Sequence, residues 1–216
     1  MPMNRFVARM SGTCSTLLLI PGGRIVIATR NRGKLREFRA LLEPAGLEVA
    51  GLAELGINGD VDETGSSFVE NARLKAISYS QETDFAVLAD DSGLEIFSLA
   101  GRPGVASARY AGAGASDADR IRKVLAELEQ AGGPRAARFV CALSLARRGA
   151  VLLETEGECL GEIVPEPRGT GGFGYDPIFL FPDLGKTMAE LDEDQKNRIS
   201  HRASALQSLL ALLSLH

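Results

Sequence analysis

The sequence predicts an α/β protein, because apolar stretches typical of strands alternate along the chain with amphipathic stretches typical of helices. A first strand is predicted at residues 25–28, and a fully apolar strand is predicted at residues 85–89. A helix pattern follows the first strand, with one apolar stripe formed by Leu35, Phe38, Leu41 and Leu42. In parallel or mixed sheets ligands bind at the ends of strands, so polar residues at those ends are candidates for a functional site.

Composition narrows the classes of protein to which the chain can belong. Its 216 residues are enough for one large domain or two small ones with a sizeable core. A formal net charge of −4 argues against general nucleic-acid binding, which needs a basic surface. Three cysteines without CxxC spacing are predicted to be reduced thiols of a cytoplasmic protein. The only histidines are His201 and His216, which excludes a multi-histidine metal site.

Residues 1–23 are predicted to be a disordered N-terminal extension or an over-long assigned start. A short apolar run at residues 17–20 superficially resembles a signal peptide. The run is shorter than the roughly 7–15 residues of a signal-peptide core, and no small-residue cleavage site follows it. No apolar run approaches the roughly 20 residues that cross a bilayer. The fold is expected to begin at Arg24, with a single domain over residues 24–214.

A polar turn joins the first strand to the first helix. It consists of Thr29, Arg30, Asn31, Arg32, Gly33 and Lys34. The start of a helix presents free backbone N–H groups and the positive end of the helix dipole, so this turn is a candidate phosphate site. It is not the GxxxxGK[ST] loop, and a P-loop ATPase is not indicated. The alternative is a solvated basic surface.

An acidic turn at residues 60–65 follows a second predicted strand at residues 47–52 and leads into a second helix. Ser67 and Glu70 have the spacing of a capping box at the start of that helix. Asn71 and Lys75 are four residues apart and so share one helix face. A lone helical lysine is usually just solvated, but the asparagine and the acidic turn make Lys75 a candidate site residue.

Two adjacent acids, Asp90 and Asp91, end the strand at residues 85–89, and Ser92-Gly93 is predicted to turn the chain before an extended pattern resumes. Neighbouring residues on a strand point to opposite faces, so we expect one acid to hold local structure and the other to face a metal or a water. The alternative is a turn in which both side chains only cap backbone groups.

The middle of the chain adds a loop, a helix and a pair of strands. The glycine-rich loop at residues 101–110 contains two arginines, and it either lines a cleft or simply turns the chain. Ser116 and Asp119 are predicted to open the next helix. Residues 147–149 are predicted to be a hairpin turn between two long strands. The glutamates of the returning strand share a face that is either solvated or paired with basic groups.

The C-terminal part contains a glycine-rich loop with aromatic residues, at residues 169–177. Its glycines allow close approaches, and Phe173 and Tyr175 are predicted to present aromatic faces to a planar ligand. A short buried strand is predicted at residues 178–181. Ser200 is predicted to cap the last helix, which places His201 and Arg202 in its first turn. Cations there oppose the helix dipole, so we expect an anion or a base nearby.

Six motifs, in unbroken order over residues 24–214, resemble the inosine/xanthosine triphosphate pyrophosphatase family of house-cleaning enzymes. The motifs are T-x-N-x-x-K from Thr29, S-F-x-E-N-A from Ser67, A-D-D-S-G-L from Ala89, P-G-x-x-S-A-R-Y from Pro103, G-T-G-G-F-G-Y-D-P from Gly169 and S-H-R from Ser200. Many members carry glycine at the position of Arg30, and we expect this arginine to put an extra cation beside the phosphates.

The resemblance implies a long central mixed twisted sheet flanked by helices, with two lobes and an active-site cleft between them. It implies a cytoplasmic homodimer that uses Mg²⁺ to hydrolyse ITP, dITP and XTP to the monophosphate and diphosphate, without nucleic-acid or membrane partners. Asp91 resembles the metal-binding general base, with Lys75 catalytic and Glu63 a second magnesium ligand. Triphosphate contacts are implied for residues 29–34, Ser92, Lys75 and Lys196. The implied base pocket consists of Phe173, Gly174, Tyr175, Asp176, His201 and Arg202.

The chemistry of these residue types agrees with that reaction. Magnesium prefers a few carboxylates together with waters and phosphate oxygens. Attack on a phosphorus that carries negative oxygens needs charge neutralisation, which lysines supply. Two alternatives stay open: a pyrophosphatase of related fold that acts on other modified nucleotides, and a catalytically silent nucleotide-binding regulator. Asp91, Glu63 and Lys75 favour an enzyme, because a binding protein need not keep a general base.

Overall fold

The computed structural model describes residues 19–214. Most of the extension predicted for residues 1–23 therefore lies outside the described residues, and its predicted disorder stays a prediction. The described part of that segment includes Ile20, which is buried, and a 3₁₀ helix at Pro21–Gly23. Among the described residues, no helix combines the length and apolar character that a membrane crossing requires.

The described residues form a mixed seven-stranded sheet with flanking helices, which confirms the predicted α/β fold. The strands are β1 (Arg24–Ile27), β2 (Glu48–Gly51), β3 (Ala86–Ile96), β4 (Ala136–Arg147), β5 (Ala150–Ile163), β6 (Phe179–Phe181) and β7 (Lys186–Thr187). Their order in the sheet is β2-β1-β3-β4-β5-β6-β7. Strand β1 pairs in parallel with β2 and β3, whereas β6 pairs antiparallel with β5 and β7.

The described α-helices are α1 (Arg32–Leu42), α2 (Phe68–Ser80), α3 (Asp117–Ala131), α4 (Glu193–Ile199) and α5 (His201–Ser214). Helix α4 is not among the elements predicted from the sequence; it has seven residues and begins with a capping box between Asp192 and Gln195. The predicted cap of α5 is confirmed, because the Ser200 hydroxyl accepts from the backbone N–H of Ala203 at 3.2 Å.

The chain divides into two compact units, and each has a core of its own. Among the described residues, the first unit consists of those up to Asp91 together with residues 142–156 and those from Ala205 onward, and the second consists of residues 92–141 and 157–204. In the first unit, α2 packs Ala76 and Tyr79 into a cluster that also contains Val26 and Val87. The core of the second unit includes apolar residues of α3, among them Val124. The cleft expected between two lobes stays a prediction.

Strand β3 runs without interruption from Ala86 to Ile96, so the turn predicted at Ser92-Gly93 is wrong. The strand lies inside the sheet, between β1 and β4. Backbone hydrogen bonds to neighbouring strands outweigh the local turn preference of a Ser-Gly pair. Asp90 and Asp91 are consequently residues of a strand interior and not the caps of a turn.

The start of α2 is predicted correctly at Ser67, but its capping box is only half formed. The Ser67 hydroxyl accepts from the Glu70 backbone N–H at 3.3 Å. The Glu70 carboxylate instead accepts from the backbone N–H and the hydroxyl of Ser66, at 2.7 and 2.8 Å. These bonds hold the pKa of Glu70 below its usual value.

Candidate active site

The turn between β1 and α1 is organised by the side chain of Asn31. Its Oδ1 accepts from the backbone N–H groups of Gly33 and Lys34, at 2.8 and 3.1 Å. The Asn31 N–H itself donates to Thr29 Oγ1 at 3.2 Å. We predicted free N–H groups at this helix start, and that expectation is wrong for these two because the asparagine cap occupies them. A phosphate would have to displace this cap or bind beside it.

The side chain of Arg30 lies against the loop that precedes Glu63. Its Nη2 donates to the carbonyl of Asn58 at 2.7 Å and also to the carbonyl of Gly59. The hydroxyl of Tyr79 donates to the same Gly59 carbonyl at 3.1 Å. The expectation of an extra cation beside the phosphates stays a prediction. Charge-assisted bonds to two carbonyls make this guanidinium a tether for the loop.

Asp90 and Asp91 have different partners, as expected for neighbours on a strand. Asp90 is almost fully buried, and its Oδ2 accepts from Lys34 Nζ at 2.7 Å. Asp91 Oδ2 accepts from the side-chain amide of Asn71 at 3.0 Å. The first acid thus anchors a lysine of α1, and the second belongs to a separate group of polar side chains.

That group, the carboxylate–lysine cluster, consists of Glu63, Asn71, Lys75 and Asp91, all in the first unit. The ammonium of Lys75 donates to Glu63 Oε1 at 2.6 Å and lies 4.0 Å from Asp91 Oδ1. Asn71 and Lys75 lie one turn apart on α2, so the predicted shared face is confirmed. The structure therefore brings together the three residues expected to hold a metal or assist catalysis.

Burial sets the acidity of this cluster. It raises the pKa of Asp91 to about 6, since the loss of solvation outweighs the attraction of Lys75 and the nearby charge of Glu63 adds to the rise. Burial alone would lower the pKa of Lys75, but the charges of Asp90, Asp91 and Glu63 together raise it. At neutral pH the cluster thus combines a protonated lysine with a carboxylate that is more basic than usual.

The donor set of this cluster fits a magnesium ion. Asp91 and Glu63 supply hard carboxylate oxygens, and both lie next to the same ammonium group. Among residues 19–214, no group of three or more His, Cys, Asp or Glu side chains is arranged to hold a metal. Magnesium is often bound by one or two carboxylates and otherwise by waters and substrate phosphates. Two carboxylates can therefore form the protein's part of such a site.

A second group, the cation–aromatic cluster, consists of Phe173, Asp176, Lys196 and Arg202, all in the second unit. Lys196 Nζ donates to Asp176 Oδ2 at 2.7 Å and lies 4.9 Å from the centre of the Phe173 ring. The guanidinium carbon of Arg202 lies 5.8 Å from the same centre, and its Nη2 donates to Ser92 Oγ at 3.1 Å. Asp176 Oδ2 also accepts from the backbone N–H of Phe173 at 3.0 Å.

Three charged side chains in this cluster are buried, with exposed fractions of 8% for Lys196, 1% for Arg202 and 4% for Asp176. Burying charge is unfavourable unless partners compensate it; Lys196 is paired with Asp176, and Arg202 donates to Ser92. Lys196 and Arg202 can only donate hydrogen bonds, so this place suits a ligand with oxygen acceptors. The half-buried Phe173 adds an aromatic ring to the same place.

Tyr175 and His201 are both buried, with different surroundings. The Tyr175 hydroxyl donates to the carbonyl of Ser107 at 2.9 Å, and the side chain belongs to the core of the second unit. The prediction that it presents an aromatic face to a ligand is therefore wrong. The ring of His201 stacks on Phe139, with centroids 4.8 Å apart. Of the three rings, Phe173 is the one that remains a candidate for stacking.

Comparison with known proteins identifies the relatives of this chain. The model of the Ham1 family matches residues 25–212. A dITP/XTP pyrophosphatase from Bacillus licheniformis is 51% identical over 190 residues, which cover 88% of this chain and 97% of the relative. Another from Geobacillus kaustophilus is 54% identical over 188 residues, covering 86% of this chain and 91% of the relative.

Solved structures agree with the sequence relatives. A HAM1 protein from Coxiella burnetii superposes with a TM-score of 0.81 at 46% identity, covering 89% of this chain and 99% of that one. The Staphylococcus aureus Ham1 protein superposes with a TM-score of 0.78 at 44% identity, covering 88% and 98%. The resemblance drawn from the six motifs is confirmed, and the chain belongs to the Ham1 family.

Proposed function

We propose that this protein hydrolyses deaminated purine nucleoside triphosphates, namely ITP, dITP and XTP, to the monophosphate and diphosphate. Its relatives named dITP/XTP pyrophosphatase share about half of its residues over most of the chain. The observation that carries the chemistry is the buried Asp91 carboxylate, which has a pKa of about 6 and lies beside Lys75 and Glu63.

Asp91 is the general base of the proposed reaction. A carboxyl group with a pKa of about 6 is ionised at neutral pH and still basic enough to accept a proton. Asn71 holds its Oδ2, which fixes the orientation of the group. Water attacks the α-phosphorus, Asp91 takes the proton, the bond to the bridging oxygen breaks, and diphosphate leaves.

Asp91 and Glu63 are the residues that would hold Mg²⁺. The bound ion supplies charge neutralisation at the phosphate oxygens and increases the acidity of the attacking water. Lys75 serves the same electrostatic purpose from the protein side, because its raised pKa keeps it protonated. Glu63 holds the ammonium in place through their 2.6 Å bond.

Lys34 and the turn at residues 29–34 are the proposed contacts of the remaining phosphates. The ion pair with Asp90 restricts Lys34 to one position, which reduces the entropy lost when a phosphate binds. The Asn31 cap holds the backbone of the same turn. Thr29, Arg32 and Gly33 belong to this proposed phosphate site as well.

The cation–aromatic cluster is the proposed base site, in which Lys196 and the adjacent Ser92 keep the triphosphate contacts that the resemblance implies. Hypoxanthine and xanthine present an oxygen acceptor at C6, whereas adenine presents an amino donor there. Arg202 can only donate hydrogen bonds, so it suits the keto oxygen and opposes the amino group. Each buried mismatch costs roughly 1–3 kcal/mol, which accounts for discrimination against adenine. Phe173 supplies the stacking surface, and Gly174, next to it in the chain, and His201 belong to the same proposed site.

The proposal includes a homodimer in the cytoplasm, with the nucleotide as the substrate and no nucleic-acid partner. The net charge of −4 supports the last point, because nucleic-acid binding needs a basic surface. The two reduced cysteines of the described strands, Cys141 and Cys159, are compatible with a reducing compartment.

A substrate panel tests the proposed function. Purified protein is given ITP, dITP, XTP, ATP and GTP, with and without Mg²⁺, and diphosphate and orthophosphate are measured separately. We expect Mg²⁺-dependent diphosphate release from the first three and far less from the last two. Orthophosphate as the first product would place the attack at the γ-phosphorus and contradict the proposal. Tight binding of ITP without turnover would identify a regulator instead.

A further inference from the structure

Asp117, the first residue of α3, links this helix to the glycine-rich loop, and it is not among the site residues predicted from the sequence. Its Oδ2 accepts from the backbone N–H of Gly174 at 2.8 Å. Its Oδ1 pairs with the guanidinium of Arg120. That guanidinium also donates to the carbonyls of Ala108 and Ala115, at 3.0 and 2.6 Å. Asp117, directly and through Arg120, thus connects α3 to the segment before it and to the loop.

The contact falls next to the aromatic residue of the proposed base site. Gly174 has a φ of +62°, a conformation in which glycine is favoured, and it directly follows Phe173. On the other side of Phe173, its backbone N–H is held by Asp176. Tyr175 is fixed separately by its bond to the Ser107 carbonyl. Asp117 therefore holds the N–H of the Phe173–Gly174 peptide, whose carbonyl accepts from the backbone N–H of Asp176 at 3.2 Å.

We propose that Asp117 is a positioning residue for base recognition, which holds the Phe173–Gly174 peptide so that the Phe173 ring stays beside Lys196 and Arg202. This inference rests on the proposed role of the cation–aromatic cluster as the base site. A carboxylate that accepts from a backbone N–H forms a charge-assisted bond, stronger than a neutral one. The Asp117 carboxylate also pairs with Arg120 and lies at the N-terminal end of α3.

Asp119, two residues after Asp117, caps the start of α3. Its Oδ2 accepts from the backbone N–H and the hydroxyl of Ser116, at 3.0 and 2.6 Å, which completes the capping box of α3. Both acids interact with the same helix dipole. Comparing substitutions at the two positions therefore separates a contribution to the helix start from a contribution to the loop.

The first experiment compares the kinetics of D117A, D119A and D117N with those of the wild type. For D117A we expect the KM for ITP to rise about tenfold, the effect of losing one charge-assisted bond, with a smaller change in kcat. For D119A we expect a lower Tm and a KM within about twofold of the wild-type value. D117N keeps an oxygen that accepts from Gly174, so it should recover most of the loss.

Diphosphate, used as a product inhibitor, separates the base site from the phosphate site. Its inhibition constant should be unchanged in D117A, because the proposed phosphate contacts belong to other residues. The proposal is overturned if D117A and D119A change KM equally, if diphosphate inhibition weakens as much as ITP binding, or if D117N is as impaired as D117A.

A second measurement tests whether Asp117 holds the loop, and it does not depend on the proposed function. The chain contains no tryptophan, so F173W creates a single fluorescent reporter in the loop. Adding D117A to F173W should lower the tryptophan anisotropy and increase acrylamide quenching, whereas adding D119A should leave both unchanged. Equal signals in the two double variants would show that Asp117 does not hold the loop. Absence of diphosphate release by the wild type would contradict the proposed function alone.

Discussion

Replacing Asp91 by asparagine should make the protein more stable and nearly inactive at the same time. Burial raises the pKa of this carboxyl from 3.8 to about 6. At 1.36 kcal/mol per pKa unit, the ionised group is disfavoured in the folded state by about 3 kcal/mol. The substituted side chain would keep an oxygen that accepts from Asn71 but would carry no charge. The free energy of unfolding of D91N should therefore exceed that of the wild type at pH 7.5.

The pH dependence of the difference follows from linkage. Because the folded-state pKa is above the unfolded-state value, the native protein holds the proton more tightly than the unfolded chain. The contribution of the Asp91 carboxyl to the free energy of unfolding of the wild type is therefore highest below pH 3.8. It falls as the pH rises from 3.8 to about 6 and is constant at higher pH. The difference in the free energy of unfolding between D91N and the wild type should grow over the same pH interval.

Urea denaturation in EDTA at several pH values between 4.5 and 8 measures these free energies, and EDTA prevents metal binding to the wild type. In parallel, kcat for ITP with Mg²⁺ should be at least roughly 10²-fold lower for D91N, the usual contribution of a positioned base. Wild-type kcat/KM should decline as the pH falls and Asp91 becomes protonated. A D91N protein that is less stable than the wild type at pH 7.5, or that retains activity, would refute the reasoning.

Three further predictions test other contacts. D90N removes the buried partner of Lys34, so it should lower the Tm and raise the KM for ITP; an unchanged Tm would mean that the ion pair contributes nothing. R202A should lower kcat/KM for ITP far more than for ATP, and an equal loss for both substrates would assign Arg202 to the phosphates. Deleting residues 1–18 should leave kcat/KM within about a factor of two. Deleting residues 1–22 also removes the buried Ile20 and should lower the Tm. Equal Tm values for the two truncated proteins would contradict this expectation.

The sequence alone determined the features that depend on neighbouring residues. The apolar runs predicted the strands, and the caps at Ser67, Ser116 and Ser200 predicted where three helices begin. A cap acts within one helical turn, so its residue types are enough to locate it. The same is true of the shared face of Asn71 and Lys75, which follows from their spacing of four residues.

Only the tertiary structure decided which distant groups meet. Ser92-Gly93 remains in a strand because of neighbouring strands, and Arg30 binds carbonyls 28 and 29 residues away. Tyr175 is buried in the core of the second unit, where its hydroxyl donates to the carbonyl of Ser107, 68 residues away. Asp117 likewise accepts from the backbone N–H of Gly174, 57 residues away. The raised pKa of Asp91 likewise depends on burial. Contacts and burial of this kind arise from packing of the whole chain, so no local pattern of residues could reveal them.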